Sequence, residues 1–232
     1  VLFILIVAYL NPIISILYME IFLIVLLHEF GHAIAGLYFN LTTRSITLYP
    51  IGGVALMDMS SCKTKEEFII ALSGPAVNFA LIIPLWLIKF LFPNDFNEHL
   101  FFVNVVILIF NMIPSYPMDG GRVLRATLAL LMKNYEDATI IACHIGKFFC
   151  ILMSLFGVFF GSPSITIIAF FVFFASSSEA KSARQVNTIK DIHEQLTGIK
   201  TPPTSEKFVN YDEMYLQVSR KLRSIIDPIT TD

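Results

Sequence analysis

Long apolar runs separated by short polar connections set the organisation of this chain. One run covers residues 13–39, after Asn11-Pro12, and others cover residues 66–92, 100–113, about 139–160 and about 164–180. A helix needs about 20 apolar residues to cross a bilayer, and most of these runs approach that length. Residues 1–10 are equally apolar but too short to cross. With no basic residue before them and no small-residue cleavage pattern after them, they are expected to be the remainder of an incomplete first span rather than a signal peptide. Between residues 40 and 65 the pattern changes. Residues 44–57 alternate around Tyr49-Pro50-Ile51-Gly52-Gly53, which predicts short strands joined at a Pro/Gly turn. The expected fold is an all-α polytopic membrane protein of about six transmembrane helices, the first incomplete, with a small membrane-embedded β-strand element.

Composition agrees. Hydrophobic residues make up 56% of the 232 and charged residues 15%, against about 25% charged in a typical soluble domain. The mean hydropathy of +0.72 and the 22 phenylalanines point the same way, to lipid. A net charge of -2 argues against nucleic acid as a partner. Cys62, Cys143 and Cys150 show no C-x-x-C spacing, so they predict buried thiols rather than disulfides or a thiolate metal site.

Lysine and arginine are distributed unevenly. Arg44, Lys63, Lys65, Arg122, Arg125, Lys133, Lys181 and Arg184 fall in alternate connections or after the last run, while the opposite connections contain none. By the positive-inside rule the basic loops and the C-terminus are cytoplasmic, and the chain is expected as a multi-pass protein of the cell membrane. The character of the sequence shifts to charged and polar after Glu179. Residues 1–182 therefore read as a transmembrane domain, and 183–232 as a cytoplasmic tail or a truncated linker to a further domain. Within the tail, residues 209–226 have the pattern of one amphipathic helix.

Candidate chemistry lies in two places. His28-Glu29-Phe30-Gly31-His32 has the form H-E-x-x-H. Four residues along a helix amount to about 40° of rotation, so both imidazoles face one point, and the intervening glutamate can reach a water held there as a general base. Two histidines and a glutamate are costly inside an apolar span, and such groups are functional by default. A catalytic zinc uses three protein ligands. The candidate third lies in Asn111-Met112-Ile113-Pro114-Ser115-Tyr116-Pro117-Met118-Asp119-Gly120-Gly121-Arg122, where two prolines break the helix and two glycines permit a sharp path. Taken alone, this segment is equally a connection whose Asp119 caps the next helix or pairs with Arg122. Asp58 is the other credible carboxylate. His99, His144 and His193 read as ordinary polar residues.

The two motifs together resemble the site-2 protease family of intramembrane metalloproteases, which carry H-E-x-x-H in one span and N-x-x-P-x-x-P-x-D-G in a later one. The resemblance covers residues 13–182. It implies one Zn²⁺ per chain, held by His28, His32 and Asp119, with Glu29 as catalytic base. Ser73-Gly74-Pro75-Ala76-Val77-Asn78 is similar to the family's polar patch, which implies Asn78 or Asn111 as donor to the substrate carbonyl or oxyanion. Residues 50–55 resemble the membrane-embedded strand that pairs with an unwound substrate, with Ile51, Gly52 and Gly53 at its centre. The implied function is hydrolysis of peptide bonds within or near transmembrane segments of membrane-protein substrates in the lipid bilayer. A metal transporter is the rival from another class, but a transporter needs several weak sites in series and the sequence holds one compact cluster. An inactive relative that only holds membrane proteins would lack catalytic residues that are present here. Proteases of prenylated tails, a further H-E-x-x-H class, take their third ligand from a glutamate, unlike the Asp-Gly element here.

Overall fold

The computed structural model describes residues 12–41, 43–49, 52–57, 62–198 and 211–226. In chain order these form α1 (Pro12–Tyr38), β1 (Thr43–Tyr49), β2 (Gly52–Met57), α2 (Thr64–Leu91), α3 (Asp95–Asn111), α4 (Asp119–Met132), α5 (Tyr135–Phe159), α6 (Pro163–Thr197) and α7 (Tyr211–Ile226). Among the described residues four helices are long and apolar enough to cross a membrane: Ile16–Tyr38, Thr64–Leu91, Tyr135–Phe159 and Pro163–Thr197. The expected incomplete span at residues 1–10 lies outside the described residues, as do Ile51 and Asp58.

Lipid explains what these helices leave uncovered. On α2, Phe79, Ile83, Trp86 and Phe90 recur along one face and are all more than half exposed. On α6, Ile167, Phe170, Phe171 and Phe174 do the same. Contiguous apolar faces of this size are rare on soluble monomers, whereas a helix satisfies its own backbone and can present such a face to hydrocarbon.

Three helices depart from the expected spans, each for a physical reason. The run at 100–113 is part of α3, which has 17 residues and is about 25 Å long at 1.5 Å per residue. That is shorter than the roughly 30 Å core of a bilayer. Its start is set earlier than the apolar run by Asn94, whose side chain accepts from the Asn97 backbone N–H. Residues expected only to connect two spans form α4, which begins at Asp119 and has 14 residues. Finally, α6 does not stop where its apolar character does. It continues 17 residues past Ala180 to Thr197 and ends at Gly198, whose φ of 70° turns the chain left-handed. The loss of apolar residues there marks a change of surroundings and not of backbone conformation.

Contacts divide the chain into two compact units. The first holds α1, the two strands, most of α2, α3 and the opening turn of α4. Its apolar centre is Ile24, Leu85 and Leu100, with Leu81, Phe101, Val103 and Ile107 packed around them. The strands pair antiparallel as a hairpin in the register Thr47↔Val54 and Tyr49↔Gly52, with an irregularity between Thr43 and Ser45, and both strands contact α1. The second unit holds residues 114–117, the rest of α4, and α5 to α7. Its main pairing is α5 against α6, and α7 docks on α6 with Met214 and Val218 buried.

Candidate metal centre

The i, i+4 spacing on α1 places His28 and His32 on one face, both 4% exposed, with ring planes at 81° and Nε2 atoms 3.1 Å apart. Asp119 reaches the same point from the opening turn of α4. Its Oδ2 lies 3.0 Å from His28 Nε2 and 3.1 Å from His32 Nε2. The chain can bring it there because Gly120 folds tightly over the end of α3. A Cβ on Gly120 would sit 2.5 Å from the carbonyl oxygens of Met112 and Ile113. The Met118 carbonyl, not the Asp119 side chain, accepts the N–H groups of Gly121 and Arg122 at the helix start. The Asp119 Oδ1 faces Arg122 Nη1 at 3.7 Å, so one carboxylate oxygen meets the imidazoles and the other an arginine.

What lies behind the two histidines decides which of their nitrogens carry protons. The Asn104 amide nitrogen donates to the backbone carbonyl of Asn78 at 2.9 Å, and a carbonyl can only accept. That orients Asn104, whose Oδ1 then accepts from Asn78 Nδ2 at 2.9 Å. Asn78 in turn must present its Oδ1 to His28 Nδ1, at 2.5 Å. His28 Nδ1 is therefore a donor, and in the neutral ring its Nε2 carries a lone pair. His32 Nδ1 faces another obligate acceptor, the Ile70 carbonyl, at 2.7 Å, so in the neutral ring its Nε2 carries a lone pair too.

With both rings neutral, two imidazole lone pairs and a carboxylate oxygen thus converge, buried, with no hydrogen between them. Such a set is repulsive unless a cation sits among the three atoms, or unless the rings take extra protons to donate to Asp119. The residues fit a divalent ion. Neutral imidazole and carboxylate suit zinc, which holds tetrahedral ligands at about 2.0–2.1 Å and so roughly 3.3 Å apart, close to the separations seen here. Backing of ring N–H groups by carbonyl or carboxamide oxygen is the usual way a metal-binding histidine is oriented.

Small residues let α2 approach this closely. A Cβ on Gly74 would lie 2.7 Å from His28 Nε2 and nearer still to His32 Nε2. A Cβ on Gly31, inside the H-E-x-x-H segment, would lie 2.6 Å from the Ser73 carbonyl. Pro75 sits inside α2 and has no N–H for the Ala71 carbonyl, which loosens the helix at this turn. One residue earlier, the Ile70 carbonyl accepts from both His32 and the Ser73 hydroxyl.

Of the remaining candidates, Glu29 is partly exposed beside His28 on α1. Asn78 is fully buried, with its carboxamide divided between His28 and Asn104. Asn111 is half-buried at the end of α3 and donates to the Ile107 carbonyl of its own helix at 3.1 Å. Gly52 and Gly53 open β2, opposite Tyr49 and Leu48. Asn104 was not among the residues expected from sequence. Its signal was an asparagine in the middle of an apolar run, a type of residue that rarely lies in lipid without a partner.

Comparison with known proteins bears on the same segments. The profile described as Peptidase family M50 matches residues 16–100 and 93–153. A zinc metalloprotease of Methanocaldococcus jannaschii is 33% identical over 183 residues, which are 77% of this chain and 53% of that protein. Stage IV sporulation protein FB of Bacillus subtilis is 29% identical over 160 residues, 67% of this chain and 54% of the relative. The chain thus spans about half the length of the curated relatives it matches. Among solved structures, a site-2 protease from Methanocaldococcus jannaschii superposes with a TM-score of 0.60 at 32% identity, covering 77% of this chain and 85% of that one.

Proposed function

The chain belongs to peptidase family M50, and from that premise we propose that it is a zinc metalloprotease that hydrolyses peptide bonds within or near the transmembrane segments of membrane-protein substrates. The observation that carries the reading is the convergence of His28 Nε2, His32 Nε2 and Asp119 Oδ2, all buried and all within 3.1 Å of one another.

His28, His32 and Asp119 would hold the ion, with Asn78 and Asn104 locking the tautomer of His28 and the Ile70 carbonyl that of His32. Zinc, when bound, supplies Lewis acidity at the scissile carbonyl and makes water beside it a stronger acid. Glu29 acts as general base: its carboxylate takes the proton from the attacking water and passes it to the nitrogen of the departing amine. Its partial exposure leaves it open to both, whereas the ligands are closed off. Asn111 is assigned the contact with the substrate carbonyl in preference to Asn78, since the Asn78 amide nitrogen is occupied by Asn104. Ile51, Gly52 and Gly53, the last two opening β2, are assigned to pairing with an extended substrate segment. An unwound target is required, because a helix hides its scissile carbonyl in hydrogen bonds. The Lys/Arg distribution supports six spans in the cell membrane with the basic loops and the 183–232 tail in the cytoplasm.

The test uses the purified full chain with a single-span protein substrate in detergent. Zinc content near one per chain and cleavage abolished by chelator, then restored by zinc, are expected. Glu29→Gln is expected to retain zinc and lose cleavage. Normal cleavage by Glu29→Gln, or cleavage indifferent to chelation, would overturn the assignment.

A further inference from the structure

The segment that presents Asp119 is fastened at both flanks to helix α6, by residues far away in sequence. Adjacent serines on α6 behave differently. Ser177 bonds back to the carbonyl of Phe173, four residues earlier, as serines in helices commonly do. Ser176 instead donates across to the Tyr116 carbonyl at 2.8 Å. Tyr116 lies in the helix break between Pro114 and Pro117, where backbone carbonyls lose their helical donors and still have to be satisfied. Next to it Ser115, fully buried, has its hydroxyl 3.4 Å from both Ser176 Oγ and Cys150 Sγ. Gly146 on α5 makes room for it: a Cβ there would lie 2.7 Å from Ser115 Oγ and 2.8 Å from its Cα.

The other flank is held as well. Arg125, six residues after Asp119, donates from Nη1 to Glu179 Oε1 of α6 at 2.8 Å. Its guanidinium stands over the rings of Tyr116 (5.4 Å) and Tyr135 (5.3 Å). Arg125 is 9% exposed and Glu179 only partly buried, so the loss of Glu179 leaves a costly buried charge on Arg125.

We propose that Ser176 and Glu179 are positioning residues for the third metal ligand. They act through the backbone of residues 115–117 and through Arg125, and this rests on Asp119 being a ligand. A metal site tolerates misplacement of a ligand by only about 0.5 Å. Asp119 stands three residues from Tyr116, within roughly 10 Å of chain, so a shift of the Tyr116 carbonyl is passed directly to the carboxylate.

The experiment compares metal affinity, by competition with a chelator and by the visible spectrum of the Co²⁺-loaded full chain, in Ser176→Ala, Glu179→Gln, the double variant, Asp119→Ala and Lys190→Ala. Ser176→Ala deletes one oxygen and leaves the helix intact. Lys190→Ala removes the Glu136 ion pair between α6 and α5, farther along the same helix, and serves as a matched loss of stability. The double variant is expected to weaken Zn²⁺ and Co²⁺ binding roughly tenfold or more and to alter the Co²⁺ spectrum. Lys190→Ala is expected to keep the affinity and spectrum of the parent even where its melting temperature falls. Parent affinity in the double variant, alongside strong loss in Asp119→Ala, overturns this inference alone. Parent affinity in Asp119→Ala overturns the ligand assignment on which it rests.

Discussion

Asn104 never touches His28, yet its 2.9 Å bond to the Asn78 carbonyl determines which His28 nitrogen is free. The relay runs from a backbone acceptor that cannot reverse its role, through two carboxamides, to an imidazole. Outer partners of this kind typically affect metal affinity by 10- to 100-fold. Asn104→Leu is therefore expected to weaken zinc binding by about that factor, because Asn78 becomes free to flip and offer its amide nitrogen to His28. Chelator competition on the purified variant measures it. Unchanged affinity would mean that the relay is packing only.

Gly74 gives the sharpest steric test. A methyl group there must occupy space that both imidazoles already fill. Gly74→Ala is expected to abolish stoichiometric zinc while the protein still inserts and folds, since alanine favours a helix by about 1 kcal/mol over glycine. Full zinc occupancy in Gly74→Ala would show that α1 and α2 lie farther apart than described.

Much of this arrangement was legible in the sequence, and the parts that were not share a cause. His28 and His32 share a face because helical periodicity alone requires it. The helix break before Asp119 could be read from Pro114, Pro117 and the two glycines, which constrain the backbone locally. The partners of Asn78 could not be read, because its bond to Asn104 spans 26 residues and exists only once α2 lies against α3. Gly31 stood unremarked inside its motif for the same reason: its role is set by Ser73 on another helix. The continuation of α6 past Ala180 was hidden because apolar runs report the surroundings of a helix and say little about where its backbone ends.

Glu20 offers a stability prediction independent of catalysis. It lies on α1 with 1% exposure, and among the described residues neither carboxylate oxygen has a hydrogen-bond partner. Burying an unpaired polar group costs roughly 1–3 kcal/mol in protein mutational data. Glu20→Met, of similar length and apolar, is expected to raise the melting temperature of the purified chain by a few degrees, about what 1–2 kcal/mol produces in a protein of this size. A lower melting temperature would indicate that the Glu20 charge is stabilised after all, with His99 the described group that acts on it.

The last prediction concerns the sign of a substitution at Asp119. Without an ion and with both rings neutral, its Oδ2 faces two ring lone pairs at 3.0–3.1 Å, an unfavourable grouping of acceptors. Asp119→Asn keeps the shape but replaces one oxygen with an amide nitrogen, which can donate to His28 or His32. The metal-free variant is therefore expected to melt at a higher temperature than the metal-free parent. Zinc should reverse the order. A ligand that binds only the folded state stabilises by about 2.7 kcal/mol at a hundred times its Kd, and the parent should gain such a shift while the variant gains little. Melting curves of both proteins, taken with chelator and with zinc, give the four values needed. Two results count against a metal centre at these three residues: a metal-free parent more stable than metal-free Asp119→Asn, or equal zinc shifts in both. Either would mean that the imidazoles are protonated and already donating to Asp119, an ion-paired triad that holds the helices together without a metal.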